Sequence, residues 1–166
     1  MVPSRPDASP EDRVRAALAE RGFAADIHIL GNTDTAPAAA AAVGCELGAI
    51  VKSLVFLADG NPVMVLAPGD RQVADAKLAT LLGVGRKKIR FADAETAFQL
   101  TSYRVGGVAP VGHHEDLPIY VDQDFDRFEV VWAAAGSSNS VFPIPLVELL
   151  RVTGGKVVDA CKRPED

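Results

Sequence analysis

Lys52 sits inside the apolar run Ile50-Val-Lys-Ser-Leu-Val-Phe-Leu57, and its position there asks for chemistry. With a period of two, Ile50, Lys52, Leu54 and Phe56 share one face of a strand, and Val51, Ser53, Val55 and Leu57 share the other. Both faces are mostly apolar, which predicts a central strand. A lysine in that setting must meet an anion or reach water, because an unpaired buried ammonium is expensive. The pattern leaves two readings open: a cation held for a ligand, or a side chain near the strand end that snorkels to solvent.

A second feature is Thr101-Ser-Tyr-Arg-Val-Gly-Gly-Val-Ala-Pro-Val-Gly112, with three glycines and a proline between 106 and 112. Such a stretch specifies an unusual backbone path, by positive φ or by close approach of another group. It can aim N–H groups at a carbonyl oxygen or a phosphate, or it can be an ordinary turn. The spacing is not that of a dinucleotide-binding fingerprint, and no long helix follows.

Other candidates are weaker. His113-His114-Glu115-Asp116 has metal-ligand residue types, but neighbouring residues rarely converge, and no distant partner motif supports them. Asp122, Asp124 and Asp126 imitate the start of a calcium loop, yet Arg127 and Ala133 stand where glycine and glutamate are required. Gly136-Ser-Ser-Asn139 offers hydroxyls without a nucleophile elbow. Arg86, Lys87, Lys88 and Arg90 make a modest basic patch, with Ile89 and Phe91 expected to face inward. No motif calls for a metal or a cofactor.

The whole chain of 166 residues suits one domain: residues 1–8 read as a flexible, proline-rich leader and 9–166 as a single domain. Seventeen basic against twenty-two acidic residues give a net charge of −5, which argues against a protein that coats duplex nucleic acid but leaves room for one that touches an RNA end. Cys45 and Cys161 form no CxxC and read as reduced thiols. No apolar run approaches membrane-spanning length, so a cytoplasmic location is expected.

The elements that must position these residues follow from periodicity and punctuation. Ser9 reads as an N-cap with Pro10 at the first helical position, and Gly22 ends that helix. Ala24–Leu30 reads as a strand, and Thr35-Ala-Pro37 opens an alanine-rich helix closed by Gly44. Strands Ala49–Ala58 and Val63–Ala67 flank the turn at Asp59-Gly60 and form an antiparallel hairpin. Helices are expected at 75–82, 93–99 and 145–150, with strands at 88–91, 117–121, 128–134, 140–142 and 156–159. Interspersed helices and tightly connected strands predict an α+β fold, a mixed sheet covered by helices.

Taken in order, four blocks resemble the YbaK/prolyl-tRNA-synthetase editing-domain family in its free-standing form. They are Gly44–Phe56 around Lys52, Thr101–Gly112, Ile119–Asp122 and Ala134–Phe142, and the likeness spans roughly residues 23–160. Ser102 departs from the glycine usual before the tyrosine. The resemblance implies a curved mixed sheet with a cleft for the acceptor end of an aminoacylated tRNA. It also implies metal-independent hydrolysis of the ester to a mischarged small amino acid such as Ala, Cys, Ser or Thr, with a cognate aminoacyl-tRNA synthetase as a further partner. Such proofreading is needed because a synthetase pocket gains only ~1–3 kcal/mol of discrimination per methylene. On this resemblance Lys52 holds the terminal phosphate or ribose, and Gly106, Gly107, Pro110 and Gly112 shape the loop that contacts the aminoacyl group. Tyr103, Val108, His113, Gly136 and Asn139 are the further substrate contacts, and Arg86, Lys87, Lys88 and Arg90 the tRNA contacts. Two rival readings are a hydrolase of another small ester or nucleotide, and a binding module of this fold without turnover.

Overall fold

The computed structural model describes residues 8–33 and 35–166; residues 1–7 of the expected leader lie outside the described residues. Helix α1 (Pro10–Glu20) starts as expected, with the Ser9 hydroxyl accepting from the Asp12 N–H. Its apolar stripe of Val14, Ala17 and Leu18 is buried. A two-residue strand, β1 (His28–Ile29), is all that pairs from the expected 24–30 strand. It meets the sheet edge through His28 opposite Val141 and Ile29 opposite Ser140, while Ala25 and Ile27 pack on the core without a ladder.

Helix α2 (Ala36–Val43) is capped by Thr35 and ended by Gly44 in the left-handed region. Strands β2 (Ile50–Ala58) and β3 (Asn61–Pro68) form the hairpin across Asp59-Gly60, both of positive φ, as a tight two-residue turn requires. Then follow α3 (Asp75–Leu82), β4 (Ile89–Phe91), α4 (Ala94–Thr101), β5 (Ile119–Asp122), β6 (Val130–Ala134), β7 (Ser140–Pro145), α5 (Leu146–Thr153) and β8 (Lys156–Val158). The fold is α+β, and among the described residues eight strands form a sheet that runs β1-β7-β6-β2-β3-β5-β8 with β4 attached to β2. The pairs β2–β6, β3–β5 and β5–β8 are parallel and the others antiparallel, so the sheet is mixed.

Strand β2 is central, and its two faces feed different cores. Val51 and Val55 join the cluster of Val14, Leu18, Tyr103, Phe125 and Phe142. Phe56 and Ala58 join that of Val65, Leu78 and Ile89. One edge of β2 has two successive neighbours. Pairing with β6 ends at Val51–Ala133, and pairing with β4 begins at Phe56–Phe91. Between them the sheet opens.

Candidate active site

The residues around this opening, 51–55 of β2, Phe91 of β4 and Trp132 of β6, line a cavity of about 400 Å³. Val55 directs its carbonyl to that edge, where it accepts from the Ala92 N–H, and Ile50 directs its carbonyl to the opposite edge, toward Gly69. By the alternation of a strand, the Ser53 backbone N–H and C=O therefore face the gap, beyond the last β6 partner. The Ser53 hydroxyl and the Thr33 hydroxyl are buried without a hydrogen-bond partner among the described residues, and both residues line the cavity. Unsatisfied buried hydroxyls are uncommon and mark a place where a ligand or water completes the bonding.

Lys52 is the charged side chain among the lining residues described. Its ammonium donates to the Arg71 carbonyl at 2.6 Å, which uses one of its three donors and leaves two. Burial lowers its pKa from the usual lysine value, partly opposed by the neighbouring Cys161 and Asp70. Asp70 is itself engaged by Arg127, with N–O distances of 2.8 and 2.9 Å. The cation is thus anchored on a carbonyl rather than neutralised by a directly bonded carboxylate.

Of the glycine-rich loop, Gly106 and Val108 line the cavity with exposed Val105. Gly106 has φ +93. Gly107 is closed against the serine turn, since a Cβ there would lie 2.5 Å from Ser137 Cα. The Gly107 N–H is engaged by the Arg104 carbonyl at 3.0 Å, so it is not a free donor for a substrate. The remaining expected site residues form the wall's support rather than its lining. Tyr103 is 1% exposed and donates to the Val111 carbonyl at 2.8 Å, with its phenol pushed up to about 12 by burial. Gly112 lies behind it, where a Cβ would meet the Tyr103 hydroxyl oxygen at 2.5 Å. Pro110 is buried, and His113 bonds the Ala109 carbonyl at 2.7 Å, held below the usual histidine pKa chiefly by burial. Ser102 takes φ +65 as the left-handed cap of α4, so the conformation expected of glycine is kept without glycine.

On the opposite wall, Ser137, Ser138 and Ser140 line the cavity. Asn139 supports them, accepting from the Ser137 hydroxyl at 2.9 Å and donating to the Leu30 carbonyl at 3.3 Å. Gly136, at φ +107, packs under Pro10, whose Cβ would lie 2.7 Å from an added Cβ. Val51, Val55, Ala97, Val108 and Trp132 make the rest of the lining largely apolar.

Arg86, Lys87 and Lys88 form an exposed 3-10 turn leading into β4, where Arg90 is also exposed. The expectation that Phe91 faces inward is corrected. It is 62% exposed, because β4 is an edge strand and Phe91 covers Phe56 from outside. Sequence reasoning missed Ser53, although a hydroxyl between Val51 and Val55 on an apolar face was a readable signal. It also missed Arg163, whose guanidinium is 6% exposed and bonds Asp122, Asp124 and Asp159.

Among the described residues no group of three His, Cys, Asp or Glu side chains could hold a metal ion, and no helix is long and apolar enough to cross a membrane. The chain matches the model of the aminoacyl-tRNA editing domain over residues 31–152. It is 33% identical over 130 residues to the uncharacterized protein YwhH of Bacillus subtilis, covering 77% of this chain and 81% of that one. It is 25% identical over 126 residues to a protein of Enterococcus faecalis named "Putative Cys-tRNA(Pro)/Cys-tRNA(Cys) deacylase EbsC", covering 75% and 76% of the two chains. A solved structure described as "Crystal structure of a putative trans-editing enzyme for prolyl tRNA synthetase" superposes with a TM-score of 0.88 at 38% identity, over 94% of this chain and 99% of that one. With its mixed sheet, the cavity beside Lys52 and a family match spanning most of its length, this chain belongs to the aminoacyl-tRNA editing-domain family.

Proposed function

We propose that this protein is a trans-acting deacylase that hydrolyses the ester between a mischarged small amino acid and the terminal ribose of tRNA. The observation that carries the reading is the cavity in the sheet gap, where one lysine, hydroxyls unpaired among the described residues and the strand edge at Ser53 surround a small apolar space. The two spare donors of Lys52 suit the terminal phosphate or a ribose hydroxyl, and an anion there also offsets the cost of burying the cation. The amino-acid side chain fits the apolar part beside Val51, Val55, Ala97 and Val108. Its α-ammonium is a natural donor to the Ser53 carbonyl and the serine hydroxyls.

The scissile carbonyl then lies near Gly106, the loop glycine that lines the cavity. An ester of this kind is already activated, so orienting a water against a polarised carbonyl supplies much of the acceleration. No metal is required in this scheme.

The test is a deacylation panel of purified protein against tRNAs charged with Ala, Ser, Thr, Cys and Pro, with and without chelator. Release of one or more small amino acids that persists in EDTA supports the proposal. Loss of activity restored by a divalent ion would overturn the metal-free scheme. Absence of cleavage throughout, together with turnover of a simple ester or nucleotide, would make another small hydrolase the better account.

A further inference from the structure

We infer that Phe91 is a stacking platform for the base of the terminal adenosine, an inference that rests on the tRNA-end reading above. An exposed phenylalanine alone is commonplace, and covering Phe56 is sufficient reason for one of its faces. That contact, with ring centroids 4.4 Å apart and planes inclined by 28°, also fixes the ring and leaves its outer face to solvent. Phe56 is 1% exposed, so the platform stands on the core rather than on a mobile surface.

Position supplies the argument for a ligand. Phe91 lines the same cavity as Lys52. As the cross-strand partner of Phe56, it shares the face of β2 that carries Lys52 and Leu54. Lys52 and Phe56 are four steps apart on β2, about 13 Å between their Cα atoms, and the side chains of Lys52 and Phe91 line the cavity from either end of that interval. A ribose placed between them has its phosphate side toward the lysine and its base over the ring. The occupant is therefore an adenosine whose ribose carries the ester, rather than an apolar peptide.

Charge supports the same occupant. Arg86, Lys87, Lys88 and Arg90 immediately precede Phe91 and are all exposed, in a chain whose net charge is −5. Lys88 has a single distant ion pair, 3.9 Å from Asp59 at a site where both side chains are largely exposed, so it stays available to a phosphate. Arg90 pairs with Leu57 and so lies on the other face of β4 from Phe91. That leaves the Arg86–Lys88 turn to follow the backbone of a strand whose base stacks on the ring, as single-stranded nucleic acid is held by cations along its backbone and aromatic side chains under its bases.

The experiment compares wild type, Phe91→Ala and Phe91→Trp on alanyl-tRNA, on 2′(3′)-O-alanyladenosine and on alanine methyl ester. Wild type is expected to prefer the adenosine ester over the methyl ester. Phe91→Ala should raise KM for the adenosine ester by about 5-fold or more, the lower end of base–aromatic stacking, and narrow that preference. Phe91→Trp should restore it. If wild type cleaves alanyl-tRNA and Phe91→Ala leaves the preference unchanged, the platform is wrong while the deacylase reading stands. If wild type cleaves no charged RNA or adenosine ester across the panel of small amino acids, both readings fall.

Discussion

The Lys52 ammonium and the Arg71 carbonyl are joined by a 2.6 Å hydrogen bond, and this couples the cavity to the C-terminal tail. The Arg71 side chain donates to Asp124 at 2.9 Å, and Asp124 also accepts from Arg163. Arg163 in turn bonds Asp122, whose side chain is fully buried and also accepts from the Ala160 and Cys161 N–H groups. A site lysine held on a backbone carbonyl depends on whatever fixes that backbone, and here the tail does so.

Arg163→Ala is therefore expected to destabilise the protein by about 3 kcal/mol, because it strands Asp122 as an uncompensated buried charge. Denaturant unfolding reads this directly. Burial alone would raise the Asp122 pKa, but Arg163 and the Ala160 and Asp124 N–H groups hold it below the usual carboxylate value. The stabilisation is thus fully present above the unfolded value of ~3.9 and is lost as pH falls through the lower folded value. Wild-type melting temperature should drop more steeply below pH 4 than that of Arg163→Ala. Parallel acid profiles would remove this network from the account.

The two adjacent glycines should respond differently to alanine. At Gly107 the new methyl would lie 2.5 Å from the Ser137 backbone, forcing loop and serine turn apart. A cost of about 2–3 kcal/mol is expected, the upper part of the overpacking range because the clash is with backbone, with loss of activity. At Gly106 the nearest atom to a Cβ is Ser138 Cβ at 3.5 Å, so the cost is the left-handed backbone, about 1 kcal/mol. Equal destabilisation of both variants would show that the two walls do not meet as described.

Ser102 is a serine held at φ +65. Ser102→Gly relieves that strain against a smaller loss of unfolded-state order, and should raise stability by roughly 0.5 kcal/mol. Thermal melts of the single variant decide the sign, and a lower melting temperature would contradict the strain argument.

Phosphate binding by the basic strip predicts a salt signature. Lys88→Ala/Arg90→Ala should flatten the slope of log affinity for tRNA against log salt by roughly 0.7–0.9 for each phosphate left without its cation. An unchanged slope would move the RNA path away from β4.

Much of the fold was legible from punctuation and periodicity. Ser9-Pro10, Thr35, Gly44 and the Asp59-Gly60 turn each mark a boundary where the structure has one, and the two apolar faces around Lys52 predict the central place of β2. The short β1 was not legible, because pairing length depends on how much of β7 is free at the sheet edge. Nor was the gap between β6 and β4, which arises from two strands sharing one edge of β2 and leaves no local trace. The same gap explains the site. Lys52 and the glycine loop stood out by residue type, which left a bland reading of each open, and the family resemblance made them site candidates. Ser53 and Thr33, by contrast, owe hydroxyls unpaired among the described residues to topology. Phe91 was misplaced because strand alternation gives the face of a side chain, and burial depends on what covers that face.

The most direct test of the central claim is single-turnover deacylation of the preferred mischarged tRNA by wild type and by Lys52→Ala, with folding checked by circular dichroism. Lys52 is half-buried, and its removal leaves an apolar strand face intact, so the variant should fold. Removing a preorganised cation from the substrate's anionic end should lower the rate by roughly 100-fold or more. Folded Lys52→Ala protein that cleaves the tRNA at the wild-type rate would contradict the account.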